Sequence, residues 1–572
     1  MIVVNETGYL PDSEKIAVSD ENGEFCIVDD NERKKLDTPI AVTDAGYDET
    51  AGHRVYRLDF SDLKDIGIYH IESDKGEASA SFKVEPGVYK TLKNALQKFF
   101  YFQRCGMTLE ERYAGPFKRD ICHQGLSHIV GSEEKISIPK GWHDAGDYGR
   151  YVSAGAVAVA HMLYAYELFP EAFGDDINIP ESGNGVPDIL NECRYELEFL
   201  SSMQDEDGGV HHKVTSWTFC GFVMPKDDDK EMFVFPVTSL STADFAAVMC
   251  IASRVYEPYD PDFARSCMHQ AYLAGQWLME HPENTDFHDP EGCNTGEYTD
   301  PFDKDERMWA YAELMRTDYD IRQDMDRSMR TAGSKRESRQ EGYRQEFVSA
   351  LTAYEESHPH YDGRSVDDGF GWNDVSSFAA IAVIFDPDKR SGEELHDRMT
   401  AMLISRADEF AAMQEGGYPI SMKKEDFIWG SNMVMSNRAD ILITAALVLR
   451  QSMGADDRAK AYEKAALNQI HYILGMNAMD ISYVTGFGDN AFKDPHNRVT
   501  ISDDIERPIP GELSGGPCIL FADEEIKKYI NAETPAQRCY LDHHLSYSSN
   551  EITIYWNSSL LFATAYFDRS TR

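Results

Sequence analysis

At 572 residues the sequence exceeds one ordinary domain, and its 42% hydrophobic and 12% aromatic content supports a large core and excludes a disordered chain. Acidic residues outnumber basic ones 99 to 55, a formal charge of −44. Such a surface repels nucleic-acid phosphates and anionic membranes and leaves neutral polysaccharides or cations as partners.

From Met1 the chain enters Ile2-Val3-Val4 with no basic leader. That fits a cytoplasmic protein and equally a secreted one whose signal has been removed. Lys15–Val18, Phe25–Val28, Arg54–Phe60, Gly67–Ile71 and Ala80–Val84 are rich in β-branched and aromatic residues and are separated by Asp/Asn/Gly turns. Short strands at this spacing predict a β-sandwich over residues 1–85. It has no Trp and no catalytic constellation, and reads as a brace rather than a sugar-binding module.

At Pro86-Gly87 the period changes. Leu92, Ala95, Leu96, Phe99 and Phe102 fall at helical spacing. A second helix starts at Pro187-Asp188, with Ile189, Leu190, Cys193, Leu197 and Leu200 as its buried face. Similar patterns recur at 150–167, 239–257, 261–281, 306–316, 337–356, 375–385, 394–414, 431–451, 457–473 and 555–568. Residues 86–572 therefore read as one all-α domain of paired helices. The longest apolar run, Ala154–Tyr166, is broken by His161 and is too short for the roughly 20 residues that span a bilayer. Arg322–Gln345 is heavily charged and reads as a solvated helix or a flap. The ten cysteines form no CxxC; those in apolar helices, such as Cys193 and Cys250, read as core residues.

The polar residues with chemical potential lie in the connections. In the segment Gly141–Arg150, Asp144 and Asp147 flank Ala145-Gly146, so both carboxylates can reach one small volume, one to hold a water and the other to deprotonate it. The alternative is a capping pair for the helix near Tyr151. In the segment Tyr540–Asn557, Glu551 is followed by Ile552, Ile554 and Trp556, and such surroundings keep a carboxyl protonated as an acid. The alternative is a charge at a helix N-terminus. The loop from Gly486 to Arg498 offers His496 and Arg498 as donors to sugar hydroxyls.

Taken together these segments resemble glycoside hydrolase family nine, in the subgroup with an N-terminal immunoglobulin-like domain. The resemblance rests on Asn5–Tyr9, Phe99–Gly106, Trp142–Tyr148, Gly183–Asp188, Gly208–Lys213, Leu474–Asn477, Pro495–Arg498 and Ser549–Glu551. It implies an (α/α)6 barrel behind the immunoglobulin-like sandwich and inverting hydrolysis of β-1,4-glucosidic bonds in cellulose-type or mixed-linkage glucans. Asp147 would be the general base, Asp144 its partner in holding the water, and Glu551 the general acid. His212, His496 and Arg498 would be polar cleft residues, with Trp429 and Trp556 as aromatic platforms; core packing is the alternative for each Trp. Two departures stand out. Asn497 replaces the second His of the family's Pro-His-His-Arg, and Met433 stands where many members carry a basic residue.

Two metal sites follow from the same resemblance. Cys105, Cys122, His123 and His143 supply the donors of a tetrahedral Zn²⁺, placed where the metal would pin the loop of Asp144 rather than act on substrate. The alternative is two core cysteines and two unrelated histidines. The acidic segment Thr295–Glu306 suits Ca²⁺, with Asp305 and Glu306 the best ligands, Glu297 and Asp300 weaker ones and Asp374 a distant one; the alternative is a solvated acidic loop. Rival readings are an exo-acting β-glucosidase or β-glucosaminidase on short oligosaccharides, and a carbohydrate-binding protein without catalysis, against which all three carboxylates stand.

Overall fold

The computed structural model describes every residue except 286, 318–332, 358–367, 453–455 and 569–572, and it leaves aside the side chains of 333–338 and 452. The chain forms two compact units: Met1–Phe100 together with Ala407–Arg572, and Tyr101–Arg406.

The first unit opens with eight strands: β1 (Ile2–Val3), β2 (Ile16–Ser19), β3 (Phe25–Asp29), β4 (Lys34–Lys35), β5 (Ala41–Asp48), β6 (His53–Asp59), β7 (Gly67–Ser73) and β8 (Phe82–Val84). They make two antiparallel sheets, β1-β2-β6-β5 and β4-β3-β7-β8. Ile2, Val4, Tyr9, Ala17, Ile27, Leu58, Phe60, Ile71, Phe82 and Val84 fill the core. The long strand β5 has no apolar alternation, because it is an exposed edge strand; Gly46, at φ 88°, carries its bulge.

This sandwich shares polar contacts with the C-terminal part of its unit. The Glu6 amide donates to Leu474 O over 2.9 Å, the Asn5 amide side chain donates to His471 Nδ1 over 2.9 Å, and Arg57 donates to the carbonyls of Gln414, Gly416 and Gly417. Arg538 returns a bond to Ala51 O over 2.9 Å. A Cβ on Gly52 would lie 2.4 Å from Pro535, so the two surfaces touch closely. These bonds tie the sandwich to the part of the chain that carries Glu551.

Tyr101–Arg406 holds helices α3 (Val152–Leu168), α4 (Asp188–Ser202), α5 (Ser239–Val255), α6 (Pro261–Glu280), α7 (Lys304–Arg316), α8 (Gly333–Ser357) and α9 (Ser376–Ile384), preceded by α1 (Lys90–Gln103), which begins in the first unit, and the short α2 (Glu111–Ala114). Helix α3 is buried all round from Val152 to Ala165, as its apolar sequence requires, and packs on α4 and α5. In α4 all five residues expected on the inner face are buried. The charged stretch Arg322–Gln345 ends inside α8; its part from 322 to 332 lies outside the described residues. Seven short strands also occur here, β9 (Ser127–Ile129), β10 (Lys135–Ile136), β11 (Arg150–Tyr151), β12 (Val210–His211), β13 (Lys213–Ser216), β14 (Met232–Val234) and β15 (Val237–Thr238). Five of them form the sheet β10-β9-β14-β13-β11, which anchors the end of the loop carrying Asp144 and Asp147.

After α10 (Glu393–Ala412) come α11 (Ser431–Ser452), α12 (Asp456–Ile473), α13 (Arg498–Ser502), α14 (Tyr547–Asn550) and α15 (Ile554–Asp568). Helix α11 packs on α12 and α15. No described helix is long and apolar enough to cross a membrane.

Candidate active site

In the Tyr101–Arg406 unit the segment Trp142–Tyr151 is a closed loop. The Asp144 amide donates to Gly149 O over 2.9 Å, and the Gly149 amide donates to Asp147 Oδ1 over 2.6 Å. Gly141, at φ 84°, opens the turn where a Cβ would lie 2.7 Å from the Phe199 ring. Neither aspartate caps α3, whose N-cap Tyr151 has no side-chain cap. Asp144 is 1% exposed and Asp147 7%. The Tyr298 hydroxyl donates to Asp144 Oδ2 over 2.6 Å, while Oδ1 is buried without a hydrogen-bond partner among the described residues. Burial pushes the Asp144 carboxyl up to about 8; the Tyr298 bond opposes this and the Asp147 charge adds to it.

The loop is held from behind. Gln103 donates to His143 O and Ala145 O, Glu196 accepts the Trp142 amide, and Glu192 accepts the Trp142 indole N–H. Beside it one donor atom each of Cys105, Cys122, His123 and His143 lies within 4.8 Å of the other three. Cys105 Sγ is 3.7 Å from His123 Nδ1, and Cys122 Sγ is 3.9 Å from His143 Nε2. A tetrahedral Zn²⁺ with sulfur at about 2.3 Å and nitrogen at about 2.0–2.1 Å puts such neighbours about 3.6 Å apart, so the four residues fit the ion. Burial lowers His143 to about 4 and keeps its imidazole neutral, as a ligand must be. His123 Nε2 faces Asp228 Oδ2 at 3.3 Å, the outer-shell carboxylate usual behind a metal-bound histidine.

The acidic segment divides. Asp305 and Glu306 open α7 and are buried, and Asp374 is buried with its oxygens on Tyr354 Oη and the Ser376 amide. Asp305 Oδ2 accepts the Val375 amide over 2.9 Å. Asp244 of α5 is near enough for its charge to raise Glu306, its carboxylate faces the Ser153 hydroxyl, and neither carboxylate oxygen of Glu306 has a partner among the described residues. Burial raises Asp244, Asp305 and Glu306, and charge from Asp300 adds to each. Buried orphan carboxylates carry a large desolvation cost unless neutralised, and an all-oxygen set suits Ca²⁺. Glu297 is not brought to this group: Oε1 accepts the Asp289 amide and faces His288.

In the other unit Glu551 ends α14 at φ −69°, ψ 157°, and its carbonyl accepts the Gly515 amide over 2.8 Å. It lies three residues ahead of α15, outside that helix's first turn. His496 pairs with Glu551 as an isolated parallel bridge, and its Nδ1 donates to His544 O over 2.5 Å. Arg498 is the buried first residue of α13. Trp429 is 39% exposed and lies against Tyr547, ring centroids 5.2 Å apart.

Two expectations need correction. Trp556 is 2% exposed and wedged against Gly430 and Gly515, so it is core and not a platform. His212 is 1% exposed, with Nε2 on Glu297 O and Nδ1 near Thr238 and Ser241 hydroxyls; it holds the acidic loop and has no nitrogen left for a sugar. Asn497 faces protein as well, capping α13 through the Val499 amide and donating to Glu512 Oε1 over 2.6 Å. Met433 is buried. Sequence reasoning missed Tyr298 and Asp244. The latter had a signal, being the one charge between Ser239 and Ser253.

The profile described as "Glycosyl hydrolase family 9" matches residues 89–564, and that of the "Cellulase N-terminal ig-like domain" matches residues 1–78. The chain belongs to glycosyl hydrolase family 9 and has the family's fold, an immunoglobulin-like β-sandwich followed by an (α/α)6 barrel. A cellodextrinase of Butyrivibrio fibrisolvens is 38% identical over 571 residues, covering 98% of both chains. The structure of a single-mutant thermostable endoglucanase from Alicyclobacillus acidocaldarius superposes with a TM-score of 0.85 at 31% identity, covering 99% of both chains. A Zn-binding triple mutant of a family 9 endoglucanase superposes with a TM-score of 0.83 at 29% identity, over 98% of this chain and 99% of that one.

Proposed function

We propose that this chain hydrolyses β-1,4-glucosidic bonds with inversion, Asp147 acting as general base on a water, Asp144 helping to hold that water and Glu551 protonating the leaving oxygen. The observation that carries the reading is the closed loop that sets Asp144 and Asp147 side by side, with Tyr298 directed at Asp144. An inverting pair requires roughly 6.5–9.5 Å between acid and base, room for one water. His496 and Arg498 would bind sugar hydroxyls, and Trp429 with Tyr547 would stack a pyranose ring.

Cys105, Cys122, His123 and His143 would hold a structural Zn²⁺. When bound, it supplies a rigid cross-link behind His143, with all four positions taken by protein and none open to substrate. The Zn-binding variant of a family relative supports this reading. Asp244, Asp300, Asp305, Glu306 and Asp374 would hold Ca²⁺. Chelation by EGTA should lower Tm, and Asp244→Asn should then be more stable than the parent without calcium but less stable with it. The same Tm with and without EGTA would remove the calcium site.

The cellodextrinase relative favours short cello-oligosaccharides over polymer as substrates. Proton NMR of fresh products from cellotetraose and from soluble mixed-linkage glucan tests both points. Initial α-anomer that vanishes in Glu551→Gln supports inversion with Glu551 as acid; β-anomer overturns it. A rapid loss of viscosity with few new ends would show internal cleavage and set the short-substrate reading aside.

A further inference from the structure

A second set of metal donors occurs in the unit that carries Glu551. One atom each of Asp494, His543 and His544 lies within 4.8 Å of the other two. His544 Nδ1 donates to Asp494 Oδ2 over 2.9 Å, and the two imidazoles stack with centroids 4.7 Å apart and 17° between their planes. All three side chains are half-buried, held in place yet open to water. Asp542 lies behind them as a clamp, its carboxylate accepting the amides of Lys493 and Asp494 and the Asn550 side chain.

We propose that Asp494, His543 and His544 form an exchangeable site for a transition-metal cation such as Zn²⁺, and that its occupation lowers turnover by displacing the segment that carries Glu551. Two imidazoles and one carboxylate suit Zn²⁺, Cu²⁺ or Ni²⁺ rather than Ca²⁺ or Mg²⁺. Three protein donors leave the remaining positions to water, so the ion exchanges, whereas the Cys-His quartet closes its own. The chain's charge of −44 attracts any cation to this surface. Binding costs the His544–Asp494 hydrogen bond, and the stacked rings must turn, because an ion lies in the plane of the imidazole it binds. The bond from the Leu545 amide to His543 Nδ1, 3.1 Å long, limits how far His543 can move.

The leverage on Glu551 is short. Asp494 O accepts the Asn550 side chain, and Asn550 directly precedes Glu551. His544 O accepts His496 Nδ1, and His496 pairs with Glu551. A shift of either ligand therefore reaches the acid through one or two bonds. Metal binding is independent of the catalytic assignment; only the effect on rate rests on Glu551 being the acid.

The test is calorimetric titration of the zinc-loaded full chain with Zn²⁺, alongside His543→Ala and His544→Gln. The parent should take up one further equivalent saturably, each variant should bind it at least tenfold more weakly, and zinc should slow the parent several-fold while sparing both variants. No further equivalent in the parent, or equal affinity in parent and variants, overturns the site. Uptake with an unchanged rate overturns the effect on turnover. If Glu551→Gln retains full activity, the acid assignment falls while the titration still decides the metal site.

Discussion

The loop bearing Asp144 and Asp147 and the segment bearing Glu551 are held by different means. The first rests on buried ionisable groups: Glu192 and Glu196 on Trp142, Arg150 on the Ile138 and Lys140 carbonyls, and the Cys105, Cys122, His123 and His143 cluster beside it. The second rests mostly on buried neutral groups around one partly exposed carboxylate: the Asn550 side chain on Asp494 O and Asp542, Tyr540 on Asn550, and His496 on a carbonyl. A base must hold one small water in line with the reacting carbon, so its loop tolerates little movement. An acid must reach a leaving oxygen and later take up a proton again, which a half-exposed carboxyl does more readily.

The sharpest way to break this comparison is to remove each carboxylate and vary the leaving group. Asp147→Asn and Glu551→Gln should each lose roughly 10²–10⁴-fold in kcat on cello-oligosaccharides. On a dinitrophenyl cellobioside, whose leaving group needs no proton, Glu551→Gln should recover most of its rate and Asp147→Asn none. Recovery in Asp147→Asn would exchange the two roles.

The Cys-His quartet beside Asp144 is the next test. Cys122→Ser, or chelation, should cost about 3 kcal/mol, a Tm lower by roughly 6–12 °C. Activity below the new Tm should also fall, because His143 directly precedes Asp144. Scanning calorimetry with zinc content by mass spectrometry checks it, and an unchanged Tm in zinc-free protein would make the quartet incidental. Tyr298→Phe comes third. It removes one bond to a carboxyl that burial holds largely neutral, worth roughly 0.5–1.5 kcal/mol, and should lower kcat by about two- to tenfold with KM nearly constant. A rise in KM alone would mean that Tyr298 binds sugar instead.

Much of this was legible in the sequence. Helices such as α5 and α11 carry long apolar runs, and their limits were readable to within a few residues. Strand β5 was not, since an exposed edge strand with Asp44, Gly46 and Asp48 has no alternation to read. The short strands β9–β15 were missed for a related reason: their pairing is set by partners distant in sequence. For the site, Asp144, Asp147 and the Cys-His cluster were marked by residue type and by resemblance. Trp556 and His212 misled because residue type shows what a side chain can do, and only packing shows which way it faces. Tyr298 was hidden within a segment whose carboxylates drew the attention.

A last effect, on stability rather than rate, concerns how the sandwich steadies the unit that carries Glu551. Glu6 of the sandwich accepts the Asn490 amide over 2.8 Å, at the start of the loop that leads to His496, and its other oxygen is buried without a partner among the described residues. Burial raises its carboxyl to about 7, the Asn490 bond opposing and the charges of Asp480 and Asp489 assisting. Between about pH 4.5 and pH 7 the folded state then binds more protons than the unfolded one, so this group's contribution to stability is full at low pH and declines as pH rises through that window. Glu6→Gln removes the titration and keeps the amide's partner. The variant should nearly match the parent in unfolding free energy at pH 5 and exceed it at pH 8, by an amount on the order of 1–3 kcal/mol. A constant difference at both pH values would mean that Glu6 is already ionised in the fold, with the sandwich binding this loop through charge rather than through a neutral hydrogen bond.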